Sequence, residues 1–147
     1  MIQYEEMKKD HIASIAQLET LCFSSPWSEK SVASELENPL SLWLVALSDG
    51  QVVGYIGSQS VEGESDMMNV AVAPEYRRQG IAEQLVLRLV AALQARGNHS
   101  LALEVRASND AAISLYEKLG FVQVGLRPNY YRNPKEDALI LRKEWTL

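Results

Sequence analysis

The spacing of hydrophobic residues alternates along the chain between a period near two, typical of strands, and three to four, typical of helices. Residues 12–21 carry apolar side chains three and four positions apart, and residues 81–93 repeat isoleucine or leucine at every fourth position. Apolar runs at 42–47 and 51–58 are joined by Ser48-Asp49-Gly50, a typical hairpin turn. The whole pattern predicts the element order β-α-α-β-β-β-α-β-α-β-β.

Polar residues and glycines mark the predicted ends of these elements. Asp10 and Ser28 each stand before a helical pattern, where their side chains can cap the first turn. Because we find no repeat, low-complexity tract or linker, residues 1–147 are expected to form one α/β domain with a mostly antiparallel front half. The predicted strands are 2–7, 42–47, 51–58, 66–73, 101–105, 121–126 and 138–141, and the predicted helices lie between Asp10 and Ser24, between Ser28 and Asn38, between Gly80 and Gly97, and over 110–119.

Composition and charge narrow the classes of function. With 147 residues, 47% of them hydrophobic and 22% charged, the chain can bury a substantial core. Its net charge of -5 argues against direct, non-specific binding of nucleic acid, which needs a basic surface. The same charge suits a positively charged partner or substrate segment, although mild acidity also serves simply to keep a protein in solution.

The single cysteine and the two histidines limit the kinds of site. Cys22 alone cannot form an intrachain disulfide, which fits a cytoplasmic location. His11 and His99 are far apart in sequence, so we expect no metal site. No apolar run reaches the roughly 20 residues that span a bilayer, and the first six residues do not resemble a signal peptide. We therefore expect neither membrane insertion nor a metal cofactor.

The segment AVAPEYRRQGIAEQLVLRLV, residues 71–90, has the layout of an anion-binding loop, with a strand, a turn and then a helix. The first turn of a helix presents unpaired backbone N–H groups and a partial positive charge. Gly80 and Ala82 keep this turn open, and Arg77 and Arg78 add positive charge. Neither the dinucleotide fingerprint nor the phosphate-loop pattern is present. On local pattern alone, Gly80 as a simple turn residue is an equally good interpretation.

A second group of polar residues lies in LEVRASNDAAISLYEKLGF, residues 103–121. Glu104 interrupts an apolar strand, which is costly for a carboxylate unless it faces a polar cleft, an ion pair or solvent. Asn109 can cap the following helix, and Tyr116 comes two helical turns later on nearly the same side. From these residues alone, a solvent-facing Glu104, a capping Asn109 and a packed Tyr116 remain alternatives to a functional site.

These two segments resemble successive motifs of the GNAT N-acetyltransferase family. Residues 70–72, followed by Arg77-x-x-Gly80-x-Ala82, match that family's acetyl-CoA-binding pattern, and residues 103–121 look like its next motif. The predicted order of elements also matches the family along the whole chain. The resemblance implies a single GNAT-type domain of the α/β (α+β) class, with a central mixed, mostly antiparallel twisted sheet of six or seven strands flanked by about four helices.

Within that family the chain is similar to bacterial enzymes that acetylate the N-terminal alanine of a small-subunit ribosomal protein. CFSSPWS at 22–28, LEVRASN at 103–109, and NYY followed by EDALIL within 129–141 carry this resemblance. It implies that Glu104 is the proton acceptor and Tyr116 the proton donor. It also implies that acetyl-CoA is held by Val70, Ala71, Val72, Arg77, Arg78, Gln79, Gly80, Ile81, Ala82, Glu83 and Asn109.

The chemistry of acetyl transfer agrees with these roles but leaves the acceptor open. Because a free amine is a good nucleophile, direct attack in a ternary complex fits better than an acyl-enzyme on Cys22. Trp27, Tyr130 and Tyr131 fall on segments that can wall a groove for a peptide, as does Phe23, although Trp27 and Phe23 are equally compatible with core packing. Only one of two adjacent tyrosines on a strand is expected to face inward. The alternative functions are acetylation of another N-terminus or of a small amine, and CoA binding without turnover.

Overall fold

The computed structural model describes residues 1–132 and 134–146, which form seven strands and four helices in the predicted order. Asn133 and Leu147, which belong to the expected domain 1–147, lie outside the described residues. The α/β class is confirmed, with about as many strands and helices as predicted. The strands are β1 (Ile2–Glu6), β2 (Ser41–Ser48), β3 (Gln51–Val61), β4 (Glu64–Val72), β5 (Ser100–Arg106), β6 (Val122–Tyr131) and β7 (Glu136–Glu144), and the helices are α1 (Ile12–Cys22), α2 (Glu29–Glu37), α3 (Ile81–Ala95) and α4 (Asp110–Lys118).

The strands form one sheet in the order β1-β2-β3-β4-β5-β7-β6. Every neighbouring pair is antiparallel except β4 and β5, so the predicted mixed, mostly antiparallel sheet is confirmed. The parallel pair follows from the connection, because α3 carries the chain from the end of β4 back to the start of β5. None of the helices in residues 1–132 and 134–146 is long and apolar enough to cross a membrane.

The two faces of the sheet carry separate apolar clusters, because successive strand residues point in opposite directions. On β4, Ala71 belongs to the cluster under α1 and α2, and Val72 belongs to the cluster under α3 and α4. We call these the α1/α2 face and the α3/α4 face. Buried members of the first include Ile15, Leu18, Val32, Trp43, Val45 and Tyr55, and buried members of the second include Leu85, Leu89, Leu101, Leu103, Tyr116 and Phe121.

Strands β4 and β5 separate soon after they begin. Their parallel ladder comprises three residue pairs and ends at Asp66 opposite Ala102, although both strands continue beyond it. The ladder between β3 and β4 skips one residue, Met68, which makes a β-bulge. A bulge bends the strand that contains it. The result is a gap in the sheet between the later parts of β4 and β5, which we call the slot.

The start of α1 differs from the prediction. Asp10 does not cap this helix, because it lies within a short 3-10 turn, Lys9–His11, that leads into it. The side chain that closes this turn is His11, whose Nδ1 accepts the Lys8 backbone N–H at 2.9 Å. Ser28 does cap α2 as predicted, since its hydroxyl accepts the Ser31 N–H at 3.1 Å.

Strands β6 and β7 are longer than predicted, at Val122–Tyr131 and Glu136–Glu144 instead of 121–126 and 138–141. Residues 127–131 read RPNYY and show no apolar alternation, so the sequence gives no period-two signal there. Pro128 is compatible with strand structure because β6 is the edge of the sheet. The added length brings the paired tyrosines to the slot.

Candidate active site

The slot opens into a cleft of about 1540 Å³. This volume exceeds the roughly 300–1,000 Å³ of a pocket for one small ligand, so the cleft has room for two substrates. The residues predicted from the sequence as site residues line it, except Gln79 and Trp27. The fold therefore brings together segments that lie far apart in the chain.

The first turn of α3 directs free backbone N–H groups at the cleft. Gly80 is the N-cap, with a left-handed φ of 80°, and Arg78 is also left-handed with a φ of 63°. These two residues turn the chain sharply from the 3-10 turn Pro74–Tyr76 into the helix. The Gly80 carbonyl accepts the Gln84 N–H at 3.0 Å, so the N–H groups of residues 81–83 have no acceptor within the helix. This arrangement is suited to an anion.

The end of β4 offers main-chain groups to the same cleft. The Ala73 N–H donates to the Val53 carbonyl at 2.8 Å, which fixes the residues of β4 that bond to β3. By this alternation Val70 and Val72 turn their backbone groups into the slot. Ala71 turns its backbone groups towards β3, so the backbone role expected of residues 70–72 fits Val70 and Val72 and not Ala71.

Arg77 lines the cleft and is also bonded within the protein. Its Nε donates to the Val72 carbonyl at 3.1 Å, and its Nη2 lies 3.5 Å from Cys22 Sγ. Arg77 therefore ties the end of β4 to the end of α1. Arg78 lines the cleft and supplies positive charge near the start of α3, whereas Gln79 does not line the cleft.

Two further residues expected at the cofactor site interact with α4. Asn109 caps this helix, because its Oδ1 accepts the Ala112 N–H at 3.2 Å. Lys118 Nζ lies 2.8 Å from Glu83 Oε1. This ion pair offsets the negative charge that Glu83 places in the first turn of α3, beside the anion site. Both side chains line the cleft while serving these structural roles.

Glu104 lies on β5 where the slot opens. Its Oε1 is 3.5 Å from Arg127 Nε. This ion pair is long and partly exposed, and such pairs contribute little to the stability of a protein. Its Oε2 is buried and accepts no hydrogen bond from the described residues 1–132 and 134–146. A buried carboxylate oxygen without a donor is costly, so this atom is the natural acceptor for a proton-bearing group in the slot.

Tyr116 reaches the slot from α4. Its ring packs edge-on against Phe121 with centroids 5.5 Å apart, and its hydroxyl lies 3.8 Å from Met67 Sδ on β4. Burial, with a smaller contribution from Tyr131, raises the pKa of Tyr116 to about 12. The phenol is therefore protonated at neutral pH and can donate a proton.

Glu104 and Tyr116 approach the slot from opposite faces of the sheet. Leu103 and Val105 belong to the cluster on the α3/α4 face, so Glu104 between them points to the α1/α2 face. Tyr116 is itself a member of the α3/α4 cluster. The Glu104 carboxylate on one face and the Tyr116 phenol on the other thus lie on either side of the slot.

Tyr130 and Tyr131 both line the cleft, contrary to the prediction that only one of them faces inward. Asn129 is left-handed with a φ of 54°, and the ladder between β6 and β7 is interrupted between Arg127 and Tyr131. This break ends the strict alternation, and the two rings meet edge-on at 5.1 Å. The nearby Glu104 carboxylate, followed by burial, raises the pKa of Tyr130. Burial first, and then Glu104, raise the pKa of Tyr131 to about 12.

The two aromatic residues after α1 have different surroundings. Phe23 lines the cleft together with Ser24 and Ser25. Trp27 packs edge-on against Trp43, with ring centroids 5.4 Å apart, and does not line the cleft. For Trp27 the structure therefore shows the packing alternative.

The sequence patterns assign no catalytic or binding role to several charged residues of the cleft, among them Asp66, Arg106 and Arg127. The Arg106 guanidinium lies 4.4 Å from the centroid of the Tyr131 ring, and burial followed by repulsion from Glu104 raises the pKa of Asp66. Arg106 could have been predicted as a cleft residue, because it follows Glu104 by two positions on one strand and so lies on the same face of the sheet. Asp66 and Arg127 come from distant segments that no local pattern connects.

Known proteins have similar sequences and a similar fold. A profile described as the Acetyltransferase (GNAT) family matches residues 12–121. The ribosomal protein bS18-alanine N-acetyltransferase of Escherichia coli is 42% identical over 127 residues, covering 84% of each chain. The N-alpha-acetyltransferase RimI of Mycobacterium tuberculosis is 36% identical over 135 residues, 88% of this chain and 84% of that one. A crystal structure of the Escherichia coli ribosomal-protein-alanine N-acetyltransferase has a TM-score of 0.92 at 35% identity, covering 100% of this chain and 96% of that one.

These similarities include the segments that form the cleft. The profile match contains both the loop before α3 and the segment from β5 through α4. The solved structure shares the fold along the whole chain, including the strands on both sides of the slot. The chain therefore belongs to the acetyltransferase (GNAT) family, whose members transfer the acetyl group of acetyl-CoA.

Proposed function

We propose that this protein is an N-α-acetyltransferase that transfers an acetyl group from acetyl-CoA to the N-terminal alanine of a small-subunit ribosomal protein. The observation that carries the proposal is the slot between β4 and β5, with the carboxylate of Glu104 on one face and the protonated phenol of Tyr116 on the other. The names of the Escherichia coli and Mycobacterium tuberculosis relatives, an alanine N-acetyltransferase and an N-alpha-acetyltransferase, support the choice of acceptor.

In this proposal the cofactor binds mainly to main-chain groups. The N–H groups of residues 81–83 bind the pyrophosphate, and Arg78 supplies a compensating positive charge. The slot-facing Val70 carbonyl and Val72 N–H bind the extended pantetheine chain in the way that a neighbouring strand would, since the Val70 N–H is bonded to Asn69 and the Val72 carbonyl to Arg77. The N–H near Val72 is then close to the acetyl carbonyl and can polarise it.

The protein's side chains supply the proton transfers. An α-amino group has a pKa of about 7.7–8.0, so much of it is protonated at neutral pH and must lose a proton before it can attack. Oε2 of Glu104 accepts that proton. The amine nitrogen attacks the thioester carbonyl carbon directly, and Tyr116 donates its proton to the sulfur as the C–S bond breaks. The nitrogen then loses its second proton, which restores the Tyr116 phenol through solvent, and Glu104 releases the first proton to solvent. Overall, an ammonium and a thioester become an amide, a thiol and one proton released to solvent.

The acceptor enters from the α1/α2 face, towards which Glu104 points. Phe23 lines one part of the cleft, and Tyr130 and Tyr131 line the part beside Glu104. A groove with aromatic walls suits a short peptide that threads its first residue towards the slot. We further propose that residues 1–147 act as one domain in the cytoplasm, without binding nucleic acid directly.

The experiment that tests the proposal is acetyl-CoA turnover against a panel of acceptors, read by intact mass. The panel contains peptides that begin with alanine, serine, methionine or aspartate, an N-terminally blocked peptide with internal lysines, and a polyamine. We expect one acetyl group on the α-amine of the alanine peptide and none on the blocked peptide. Exclusive acetylation of the polyamine, or acetyl-CoA binding without turnover on any acceptor, would overturn the proposed function.

A further inference from the structure

Glu19 is a fully buried carboxylate near the C-terminal end of α1, where the helix dipole favours a cation instead. Its hydrogen-bond donors among the described residues are all neutral. The Trp27 backbone N–H donates to Oε1 at 2.8 Å, and the Asn69 Nδ2 at 2.6 Å and the Tyr55 hydroxyl both donate to Oε2. Because a buried carboxylate without a cation is costly, packing alone does not explain this residue.

Glu19 anchors both ends of the loop that follows α1. The Phe23 N–H donates to the Glu19 backbone carbonyl at 2.9 Å, and the Trp27 N–H donates to its side chain at 2.8 Å. Between these anchors, Phe23, Ser24 and Ser25 line the cleft. One residue therefore fixes the position of a wall of the cleft without lining the cleft itself.

The same carboxylate also reaches β4 beside the slot. Asn69 follows the bulge at Met68 and lines the cleft. Its Nδ2 donates to Glu19, and its Oδ1 accepts the Val70 N–H at 3.2 Å. Glu19 thus fixes which way the Asn69 amide points, and with it the surroundings of a slot-facing backbone group. The loop and β4 are joined through one carboxylate.

Tyr55 holds the Glu19 carboxylate from the core side, through the hydrogen bond that its hydroxyl donates. It is fully buried on β3, stacks on Trp43 with ring centroids 5.9 Å apart, and does not line the cleft. Burial and the hydrogen bond to Glu19 hold the pKa of Tyr55 far above its ordinary value. Its hydroxyl is therefore a constant donor, so the position of the Glu19 carboxylate is set from the core and not from the cleft.

We propose that Glu19 is a positioning residue for the acceptor, which fixes the loop 23–27 and Asn69 as one wall on the α1/α2 face of the slot. It touches neither of the reacting groups and acts through the residues that it holds. This inference rests on the proposed function, because it assigns the α1/α2 face to the acceptor and the first turn of α3 to the cofactor.

The substitution Glu19→Gln keeps the size of the side chain but replaces one acceptor oxygen by a donor. That donor would face the Tyr55 hydroxyl and the Asn69 Nδ2, so Asn69 must turn its amide and release the Val70 N–H. We expect kcat/KM for the alanine peptide to fall by about tenfold to 10²-fold, since misplacement of a substrate by about 1 Å has effects of this size. The Kd of acetyl-CoA, measured by calorimetry, should stay at the wild-type value.

The exchange Glu19→Gln with Asn69→Asp tests the hydrogen-bond network itself. In the double variant the amide at position 19 donates to the carboxylate at position 69, which reverses the direction of the wild-type hydrogen bond. The carboxylate at position 69 can still accept the Val70 N–H. The double variant should therefore recover most of the acceptor kcat/KM that Glu19→Gln loses. If Glu19→Gln does not fold, Tyr55→Phe removes one donor from outside the cleft and should lower the same parameter, again without changing the Kd of acetyl-CoA.

The matched control is Glu35→Gln. Glu35 is a second buried carboxylate on the α1/α2 face, held by the neutral donors of Ser41, Trp43 and Gln59. Gln59 lines the cleft, but none of the three belongs to the loop 23–27 or to β4. This variant should lower Tm and reduce the acceptor kcat/KM far less than Glu19→Gln does.

The proposal is overturned if folded Glu19→Gln keeps the wild-type acceptor kcat/KM, if Glu35→Gln loses as much, or if acetyl-CoA binding weakens in parallel. A failure of the proposed function has a different signature, namely a wild-type protein that acetylates no peptide α-amine. If the wild type acetylates only a small amine, kcat/KM for that amine is measured in the same variants and decides the role of Glu19.

Discussion

The two halves of the cleft are built from different kinds of groups. The half assigned to the cofactor consists mainly of main-chain groups, namely the N–H groups of residues 81–83 and the slot-facing groups of Val70 and Val72. The half assigned to the acceptor consists of side chains, among them Glu104 and Tyr131. Main-chain groups are positioned by secondary structure itself, whereas side chains must be brought together by the fold. We therefore expect the first half to be sensitive to backbone changes and the second to single side-chain changes.

The largest expected effect is that of Gly80→Asp on the cofactor half. A Cβ at Gly80 meets no atom within 4 Å, so the substitution leaves the packing intact. It adds roughly 1–2 kcal/mol of left-handed strain and places a carboxylate beside the anion site. Calorimetry should show no measurable acetyl-CoA binding.

Gly97→Asp is the matched control for this change. Gly97 follows the other end of α3, is left-handed with a φ of 87°, and also has open space around a Cβ. It should lower the free energy of unfolding by a similar amount and leave acetyl-CoA affinity unchanged. Equal loss of affinity in both variants would mean that the anion site lies elsewhere.

Glu104→Gln should remove the proton acceptor from the acceptor half of the cleft. The amide cannot take a proton from the α-ammonium, so turnover of the alanine peptide near pH 7 should fall by about 10²-fold or more. Glu117→Gln, on the exposed side of α4, should have wild-type turnover. Unchanged turnover in Glu104→Gln would remove this residue from the role of proton acceptor.

Tyr116→Phe should have a smaller effect on turnover, about tenfold. A thiol with a pKa near 8.5 is a good leaving group, so the loss of its proton donor is only partly limiting. The decrease should appear in kcat with little change in the KM of the peptide. A variant with wild-type kcat would show that the proton reaches the sulfur from another donor.

Tyr116 should also make the stability of the protein depend on alkaline pH. Its pKa is raised from 10 to about 12 in the folded state, so the folded protein holds the phenolic proton more tightly than the unfolded chain. The corresponding stability is complete below pH 10 and is lost as the pH rises towards 12. Tm measured from pH 9 to 12 should fall more steeply in the wild type than in Tyr116→Phe, and parallel curves would contradict the burial of the phenol.

The smallest effect is expected for Cys22→Ser, which should leave turnover largely intact. Cys22 lies at the end of α1, and its Sγ is 3.5 Å from the Arg77 guanidinium. Direct transfer needs no covalent intermediate on this thiol. Detection of acetylated Cys22 by mass spectrometry in a quenched reaction would contradict direct transfer.

The cofactor half could be predicted from the sequence because its information is local. The end of β4, the turn with Gly80 and the start of α3 are consecutive in the chain, and a helix N-terminus binds anions through groups that every residue carries. There are two exceptions: the Arg77 side chain bonds to the Val72 carbonyl, and the backbone N–H of Ala71 turns towards β3. Those details depend on the register of the sheet, which no short motif contains.

The acceptor half could be predicted only in part, because its residues come from distant segments. Glu104 was recognisable as a charge inside an apolar strand, but its neighbour Arg127 lies on β6, outside any motif. The left-handed conformation of Asn129 lets both tyrosines reach the cleft, and the pattern of apolar residues does not predict it. Glu19 occupies an ordinary helical position, and its partners Tyr55 and Asn69 are 36 and 50 residues away.

A calorimetric titration of acetyl-CoA into Glu104→Gln tests the separation of the two halves most directly. If the cofactor half is built from main-chain groups, the Kd should stay within about twofold of the wild-type value, as for independent sites, while turnover of the peptide is lost. A Kd that weakens as much as turnover falls would place Glu104 in the cofactor site and contradict the division of the cleft into two halves.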